Sequence, residues 1–196
     1  MLATFFISIF VSFSIALLLI RYIHLHQKVT GDIHTQGPQK FHIGLTPRIG
    51  GIPILCGLCA GGALAVYGGT LPKALGLSLL LSSCPVFLLG IAEDIFKRVA
   101  PIWRLLASFL SAGIASWLVE ATLSGVGLPG IDFFLGSYPL VALVFTVIAV
   151  GGMCHSLNII DGYNGLASGV SGMILLALGY VCFEVGDRQL LALSLV

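Results

Sequence analysis

Two adjacent carboxylates, Glu93 and Asp94, end an uncharged run and are followed by two cations, Lys97 and Arg98. A third acid, Asp161, lies between two amides, Asn158 and Asn164, each three residues away. Residues three apart share a helical face, so Asn158, Asp161 and Asn164 can line one wall. Gly162 and Gly165 permit close backbone approach beside them. A further cluster runs from Lys40 and His42 through Thr46, Pro47 and Arg48 to Gly50 and Gly51. Carboxylate oxygens suit a hard cation such as Mg2+, whose shell is usually completed by water and phosphate oxygens. Lys and Arg suit phosphate, Arg as a bidentate fork. Acids for a metal and bases for phosphate suggest phosphoryl transfer.

Each cluster also has a plainer reading. Charges at the ends of apolar helices are often solvated anchors. Asn-x-x-Asp-x-x-Asn can act as polar glue between membrane helices. Gly50 and Gly51 after Pro47 and Arg48 fit a loop-to-helix junction. His24, His26 and His34 read as exposed residues of a hydrophilic loop, and His155 as a satisfied histidine near a helix end. Only His42 is promoted, by its neighbours.

The elements that must hold these residues are set by composition. The chain has 196 residues, 58% hydrophobic and 9% charged, with a mean hydropathy of +1.09. Soluble domains are about a quarter charged, so a water-facing globule is excluded. A spanning helix needs roughly 20 mostly apolar residues. Runs free of Asp, Glu, Lys and Arg cover 1–20, 49–72, 74–92, 133–160 and 162–183. A shorter run, 105–119, can extend through Ile102 and Trp103, and a last one occupies 190–196. Backbone groups in lipid must be satisfied within the segment, and these runs are too long and too uniform for barrel strands. The expected fold is all-α: a polytopic transmembrane bundle of six complete spans and the start of a seventh, forming one domain over 1–196. The first run lacks a basic start and a clear cleavage site, so it reads as a retained helix. Because the last run stops inside apolar sequence, the chain is expected to be the N-terminal part of a longer domain.

Alternating spans place the connections 21–48, 93–104 and 157–168 on one side. Those at 71–73, 120–138 and 184–189 fall on the other. Seven of the nine Lys and Arg residues lie on the first side and only Lys73 and Arg188 on the second. Positive charge marks the cytoplasmic side, so the three clusters are expected there and the N-terminus outside. The segment 122–138 reads as a turn or a surface-skimming stretch, with Phe133, Phe134 and Tyr138 at the interface. Gly57 with Gly61, and Gly165 with Gly169, have the four-residue spacing of close helix contacts. The five cysteines, including Cys56 and Cys59 as C-x-x-C, read as small packing residues.

The three clusters together resemble the polyprenyl-phosphate N-acetylhexosamine-1-phosphate transferases of glycosyltransferase family 4. That family includes initiating enzymes of bacterial surface polysaccharides and is related to the phospho-N-acetylmuramoyl-pentapeptide transferases. Lys40-x-His42 with Thr46-Pro47-Arg48-x-Gly50-Gly51 is similar to its first cytoplasmic motif. Glu93-Asp94-x-x-Lys97 is similar to its acidic pair, and Asn158-x-x-Asp161-Gly162-x-Asn164-Gly165-Leu166 to its third motif. The Thr-Pro-Arg form is nearer the UDP-N-acetylhexosamine branch. Two departures stand out: Glu93 where the family usually has Asp, and Asn164 where a second Asp is common.

The resemblance implies transfer of sugar-1-phosphate from a UDP-N-acetylhexosamine to undecaprenyl phosphate, with release of UMP, at the cytoplasmic face of a bacterial inner membrane. It implies Mg2+, with Mn2+ as a substitute, and catalytic roles for Glu93, Asp94 and Asp161. Lys40, His42, Arg48, Lys97, Asn158 and Asn164 would bind substrate. Asp161 would also approach the metal, whose principal ligand is expected beyond residue 196, so this length of chain is expected to be inactive alone. The partners are the two substrates and the bilayer, with a homodimer left open and no nucleic acid. The rival classes are a transporter and a purely structural membrane remnant. Transporters usually carry ionisable groups within their spans, whereas here polarity gathers in loops on one side.

Overall fold

The computed structural model of the chain describes residues 1–32, 46–161, 163 and 165–196. Its helices are α1 (Leu2–Arg21), α2 (Ile23–Thr30), α3 (Gly51–Tyr67), α4 (Lys73–Phe96), α5 (Pro101–Val119), α6 (Pro129–Ser137), α7 (Pro139–Ile160), α8 (Leu166–Val185) and α9 (Arg188–Ser194). A two-residue antiparallel pair, β1 (Gly31–Asp32) with β2 (Thr46–Pro47), is set in register Gly31 to Pro47 and Asp32 to Thr46. Five helices, α1, α4, α5, α7 and α8, are long and apolar enough to cross a membrane, and α3 is a shorter apolar helix of 17 residues. The chain is a helical, multi-pass membrane protein made of two compact units. One comprises Met1–Gly76, Asp94–Phe96 and Ile159–Val196; the other comprises Leu77–Glu93 and Lys97–Asn158.

In the first unit, α3 lays a stripe of small residues, Pro53, Gly57, Gly61 and Ala65, into its interior. The stripe faces α1. A Cβ on Gly57 would stand 2.7 Å from the Ser8 carbonyl oxygen and 2.9 Å from Ser12 Cβ. One on Gly61 would collide with Ser8 Oγ. Small residues let membrane helices approach to backbone contact. Ser8 is 5% exposed, and its hydroxyl donates to the Thr4 carbonyl at 3.0 Å, so no polar group is stranded. The large side chains point the other way: Phe10 is 71% exposed. This inside-out arrangement suits a lipid solvent, which gives no reason to hide Phe. At the other end of the chain, Gly186 takes a left-handed φ of 76° and ends α8. Asp187 then caps α9 by accepting from the N–H groups of Gln189 and Leu190 at 3.0 Å. The hairpin closes with Gly179 against Ser194.

In the second unit, α5 buries small and hydroxyl residues, namely Ala107, Ser108, Ser111, Ala112 and Ser116. Pro85 inside α4 has no N–H to give. The next amide, Val86 N–H, donates across to Ser111 Oγ at 3.1 Å, which ties α4 to α5. Gly151 of α7 lies where a Cβ would strike the Phe109 ring. Thr146 Oγ1 accepts from Leu123 N–H at 2.8 Å and donates to the Ala142 carbonyl at 2.7 Å, anchoring the segment before α6 to α7.

The structure corrects several boundaries. The connection expected at 21–48 begins with α2 and is pinched by β1 and β2, the one exception to an all-α chain among the described residues. His26 is not a free loop residue. It is half-buried, with Nε2 3.0 Å from the Leu19 carbonyl oxygen, so it fastens α2 to α1. His34 lies outside the described residues. The connection expected at 93–104 shrinks to 97–100, and that at 157–168 to 161–165, because the helices run further than their apolar cores. The segment 122–138 contains α6, with Phe133 and Phe134 exposed and Leu135 buried. A Cβ on Gly165 or Gly169 would meet nothing among the described residues, so of these two pairs Gly57 with Gly61 is the one that shows close contact. Of the cysteines, Cys182 is buried, while Cys59, Cys84 and Cys154 are exposed on their helices.

Candidate functional site

The hairpin between α4 and α5 holds an ion pair, Arg104 with Glu93. Its link is four residues long, 97–100, so the two helices are forced into antiparallel neighbours. Pro101 starts α5 at the position where a missing N–H costs nothing. Glu93 lies three residues before the end of α4 and Arg104 three after the start of α5. They stand opposite one another, and Arg104 Nη1 reaches Glu93 Oε2 at 3.0 Å. Both side chains are about one-third exposed or less, at 32% for Arg104 and 26% for Glu93. Arg104 Nε is buried and makes no hydrogen bond to any described residue. Lys97 ends α4 with its N–H on the Glu93 carbonyl at 2.8 Å and a left-handed φ of 56°.

Adjacent residues on a helix point about 100° apart at 3.6 residues per turn. Glu93 and Asp94 therefore serve different directions. Glu93 turns to Arg104 within the second unit, whereas Asp94 is grouped with the first. Arg48 and Asp161 belong to that first unit as well. Thus one residue from each of the three clusters falls in one compact unit, and Glu93, Lys97 and Asn158 fall in the other. Arg48 is half-buried, and its N–H donates to the Thr30 carbonyl at 2.9 Å, next to the strand pair. Lys40, His42 and Asn164 lie outside the described residues.

Asn158, in the last turn of α7, and Asp161, just past its end, are both exposed. α7 stops at Ile160, so Asp161 lies past the helix that carries Asn158, and Asn164 lies outside the described residues. Gly165, with φ 81°, then starts α8. His155 has the partner expected of a helix histidine. Its Nε2 is 3.5 Å from Ser108 Oγ, which itself donates to the Leu105 carbonyl at 2.8 Å.

Sequence reasoning treated Arg104 only as one of the charges that orient the chain. The signal for its pairing was equal spacing about a short helical link, readable once both helix ends are known. For a metal, no three His, Cys, Asp or Glu side chains among the described residues come together. With Glu93 engaged by Arg104, these residues do not by themselves make up a magnesium site.

The glycosyl transferase family 4 model matches residues 76–196. A phospho-N-acetylmuramoyl-pentapeptide-transferase of Pelotomaculum thermopropionicum is 35% identical over 167 residues, covering 75% of this chain and 49% of its own. A probable undecaprenyl-phosphate N-acetylglucosaminyl 1-phosphate transferase of Bacillus subtilis is 29% identical over 169 residues, covering 85% of this chain and 45% of its own. An undecaprenyl-phosphate alpha-N-acetylglucosaminyl 1-phosphate transferase of Escherichia coli K12 is 26% identical over 168 residues, covering 83% and 43%. The chain spans about half the length of the curated relatives it matches. No solved structure matches it. The family match takes in more than half of the chain, including Glu93, Asp94, Lys97, Asn158 and Asp161, and on that ground the chain belongs to glycosyl transferase family 4.

Proposed function

We propose that the protein transfers N-acetylhexosamine-1-phosphate from a UDP-sugar to undecaprenyl phosphate on the cytoplasmic side of a bacterial inner membrane, at the start of surface polysaccharide synthesis. The observation that carries the reading is the ionic turn at the end of two uncharged spans: Glu93, Arg104 and Lys97 gathered about a four-residue link. In this reading α3 is a sixth span, α9 begins a seventh, and the N-terminus is outside.

An oxygen of the lipid phosphate attacks the β-phosphorus of the UDP-sugar. A new P–O bond forms, the bond from that phosphorus to the bridging oxygen breaks, and UMP leaves with the electron pair. Little covalent help is needed, so the residues act by positioning and charge. Asp94 receives the lipid phosphate and takes its proton where it carries one. Glu93 holds Arg104 in place. Lys97, Arg104 and Arg48 offset the charge of the phosphates, with Lys40 and His42 at the border of that region. Asn158, Asp161 and Asn164 contact the nucleotide and sugar. Dependence on Mg2+, or Mn2+ in its place, is part of the proposal as a requirement only, and the described residues supply no step through it.

The test uses membranes carrying the product of the whole gene, radiolabelled UDP-N-acetylhexosamines and undecaprenyl phosphate. Expected are UMP release and label in the lipid fraction, both lost with EDTA and restored by Mg2+. Asp161→Ala is expected to lower turnover at least about a hundredfold, roughly 2.7 kcal/mol of transition-state stabilisation. An Asp161→Ala protein of normal turnover would sink the assignment of that residue, and solute uptake without UMP release would replace the enzyme reading by transport.

A further inference from the structure

The short helix α2, with Tyr22 as its cap, presents three arcs. At about 3.6 residues per turn, Ile23, His26 and Thr30 share one, Tyr22, Leu25 and Val29 the next, and His24 and Gln27 the third. The first arc is turned to the protein: Thr30 is 6% exposed, and Ile23 and His26 are half-buried. The second is bare, with Leu25 74% exposed and Val29 49%. The third is exposed and polar. Both ends of the helix are tied down. A carbonyl only accepts, so His26 Nε2 carries a proton and donates it to the Leu19 carbonyl in the last turn of α1. At the far end the Thr30 carbonyl accepts from Arg48 N–H, and β1 pairs with β2 just ahead of α3. α1 is long and apolar enough to cross a membrane, so α2 is held at the border where that span ends. Arg21, exposed in the last turn of α1, stands beside it. The connection 21–48 as a whole carries four Lys and Arg residues against one acid, Asp32.

We propose that α2 is an in-plane anchor that binds anionic phospholipid, with Tyr22, Leu25 and Val29 among the upper acyl chains and Arg21 at a headgroup phosphate. An apolar strip beside a polar one is the pattern of a helix lying in the interface, and a tyrosine suits the headgroup level. Three apolar side chains bind a membrane weakly by themselves. Here the ties to α1 and to the strand pair already deliver the helix to the surface, which raises its effective concentration there. Lipid is favoured over a protein occupant by continuity. Leu18 and Ile20, at the end of α1, are more than half exposed, and Tyr22 follows them in the chain, so one apolar solvent covers both. The excess of cations in the connection selects anionic over zwitterionic headgroups. The inference requires that α1 crosses the membrane and does not rest on the transferase reading.

The experiment uses the product of the whole gene in nanodiscs of phosphatidylcholine with increasing phosphatidylglycerol. Spin labels are placed singly at Leu25→Cys, Val29→Cys and Gln27→Cys in a cysteine-free background. Collision with oxygen, which partitions into lipid, is compared with collision with a nickel chelate, which stays in water. Oxygen is expected to dominate at Leu25 and Val29, increasingly so as phosphatidylglycerol is added, and the chelate to dominate at Gln27 throughout. Arg21→Gln should raise the phosphatidylglycerol fraction that gives half the shift about fivefold, the roughly 1 kcal/mol of one cation beside an anionic surface. Arg21→Lys should restore it. Chelate dominance at Leu25 and Val29 would put the helix in water and overturn the anchor. Weak collision with both reagents would put the strip under protein, another part of this chain or a second copy, and overturn it too. A depth indifferent to phosphatidylglycerol, or unmoved by Arg21→Gln, would remove the anionic headgroup from the proposal. UMP release plays no part in the readout, so failure of the transferase reading leaves this result standing.

Discussion

Lys97 occupies a backbone conformation that a residue with a Cβ enters at a cost of about 1–2 kcal/mol. Its φ of 56° is the left-handed cap of α4, where glycine ordinarily stands. Strain of this kind points to a side chain wanted at that place, here a lysine at the start of the link between Glu93 and Arg104. Lys97→Gly should therefore separate the two demands. Thermal stability in detergent is expected to stay level or rise, while UMP release falls about tenfold to a hundredfold, the 1.5–3 kcal/mol of a hydrogen bond to a charged group. A Lys97→Gly enzyme with full activity would reduce the lysine to a helix cap. At this scale the sequence exposed Glu93, Asp94, Lys97 and Asp161, because acids bordering long apolar runs are conspicuous. Arg104 was not legible as a partner, since its pairing depends on where α4 stops and α5 starts. Nor could the sequence show that Glu93 and Asp94 diverge, which follows only from both lying inside a helical turn.

The contact of α1 with α3 is built on absent side chains, so it is sensitive to a single methyl group. At Gly57 the obstacle to a Cβ is backbone, the Ser8 carbonyl at 2.7 Å, which no rotamer change relieves. Gly57→Ala should push α1 off α3 at a cost of about 1–3 kcal/mol, the usual range for overpacking. Gly62→Ala, in the same helix, meets nothing among the described residues. A lower Tm for Gly57→Ala alone is expected, and equal Tm values would show that the two helices do not press together there. The stripe through Gly57 and Gly61 could be read from spacing, as could α1, α4, α7 and α8, because hydropathy over twenty residues is a strong signal; the lengths of α3 and α5 were read the wrong way round, since 49–72 holds a helix of only 17 residues and the short run at 105–119 is extended to 101. The spacing of Gly165 and Gly169 was the same, yet it marks no contact among the described residues, so spacing alone does not say which face has a partner. The strand pair and α2 were invisible for a different reason. Two paired residues have no alternation to detect, and Ile23–Thr30 is amphipathic and too short to separate from a polar loop.

For the whole molecule, sidedness decides whether the three clusters can serve one reaction. Two long apolar helices, α5 and α7, lie in the chain between the end of α4 and the end of α7, so if both cross, the Lys97 and Asp161 turns are expected on one side. Arg48 joins them only if α3 crosses. At 17 residues α3 is about 25 Å long, against a hydrocarbon core of roughly 30 Å. Thinning of the bilayer accommodates a short span at modest cost, and Ile49 with Gly68 to Leu71 extends the uncharged stretch. Were α3 to lie along the surface, α4 would start on the side of Arg48 and carry Lys97 to the opposite one. The charge asymmetry argues for crossing, because it places seven of nine cations on a single side. Single cysteines in a cysteine-free background, probed with an impermeant maleimide on spheroplasts, test this directly. Arg48→Cys, Arg98→Cys and Tyr163→Cys are expected to be protected until the membrane is permeabilised. Pro72→Cys and Ser124→Cys are expected to react at once. Protection of Pro72→Cys with reaction of Arg98→Cys and Tyr163→Cys would mean that α3 does not span, and would remove the first cluster from the phosphate-handling face. Reaction of Arg98→Cys with protection of Tyr163→Cys would part the acidic pair from Asp161, and no shared chemistry would survive that.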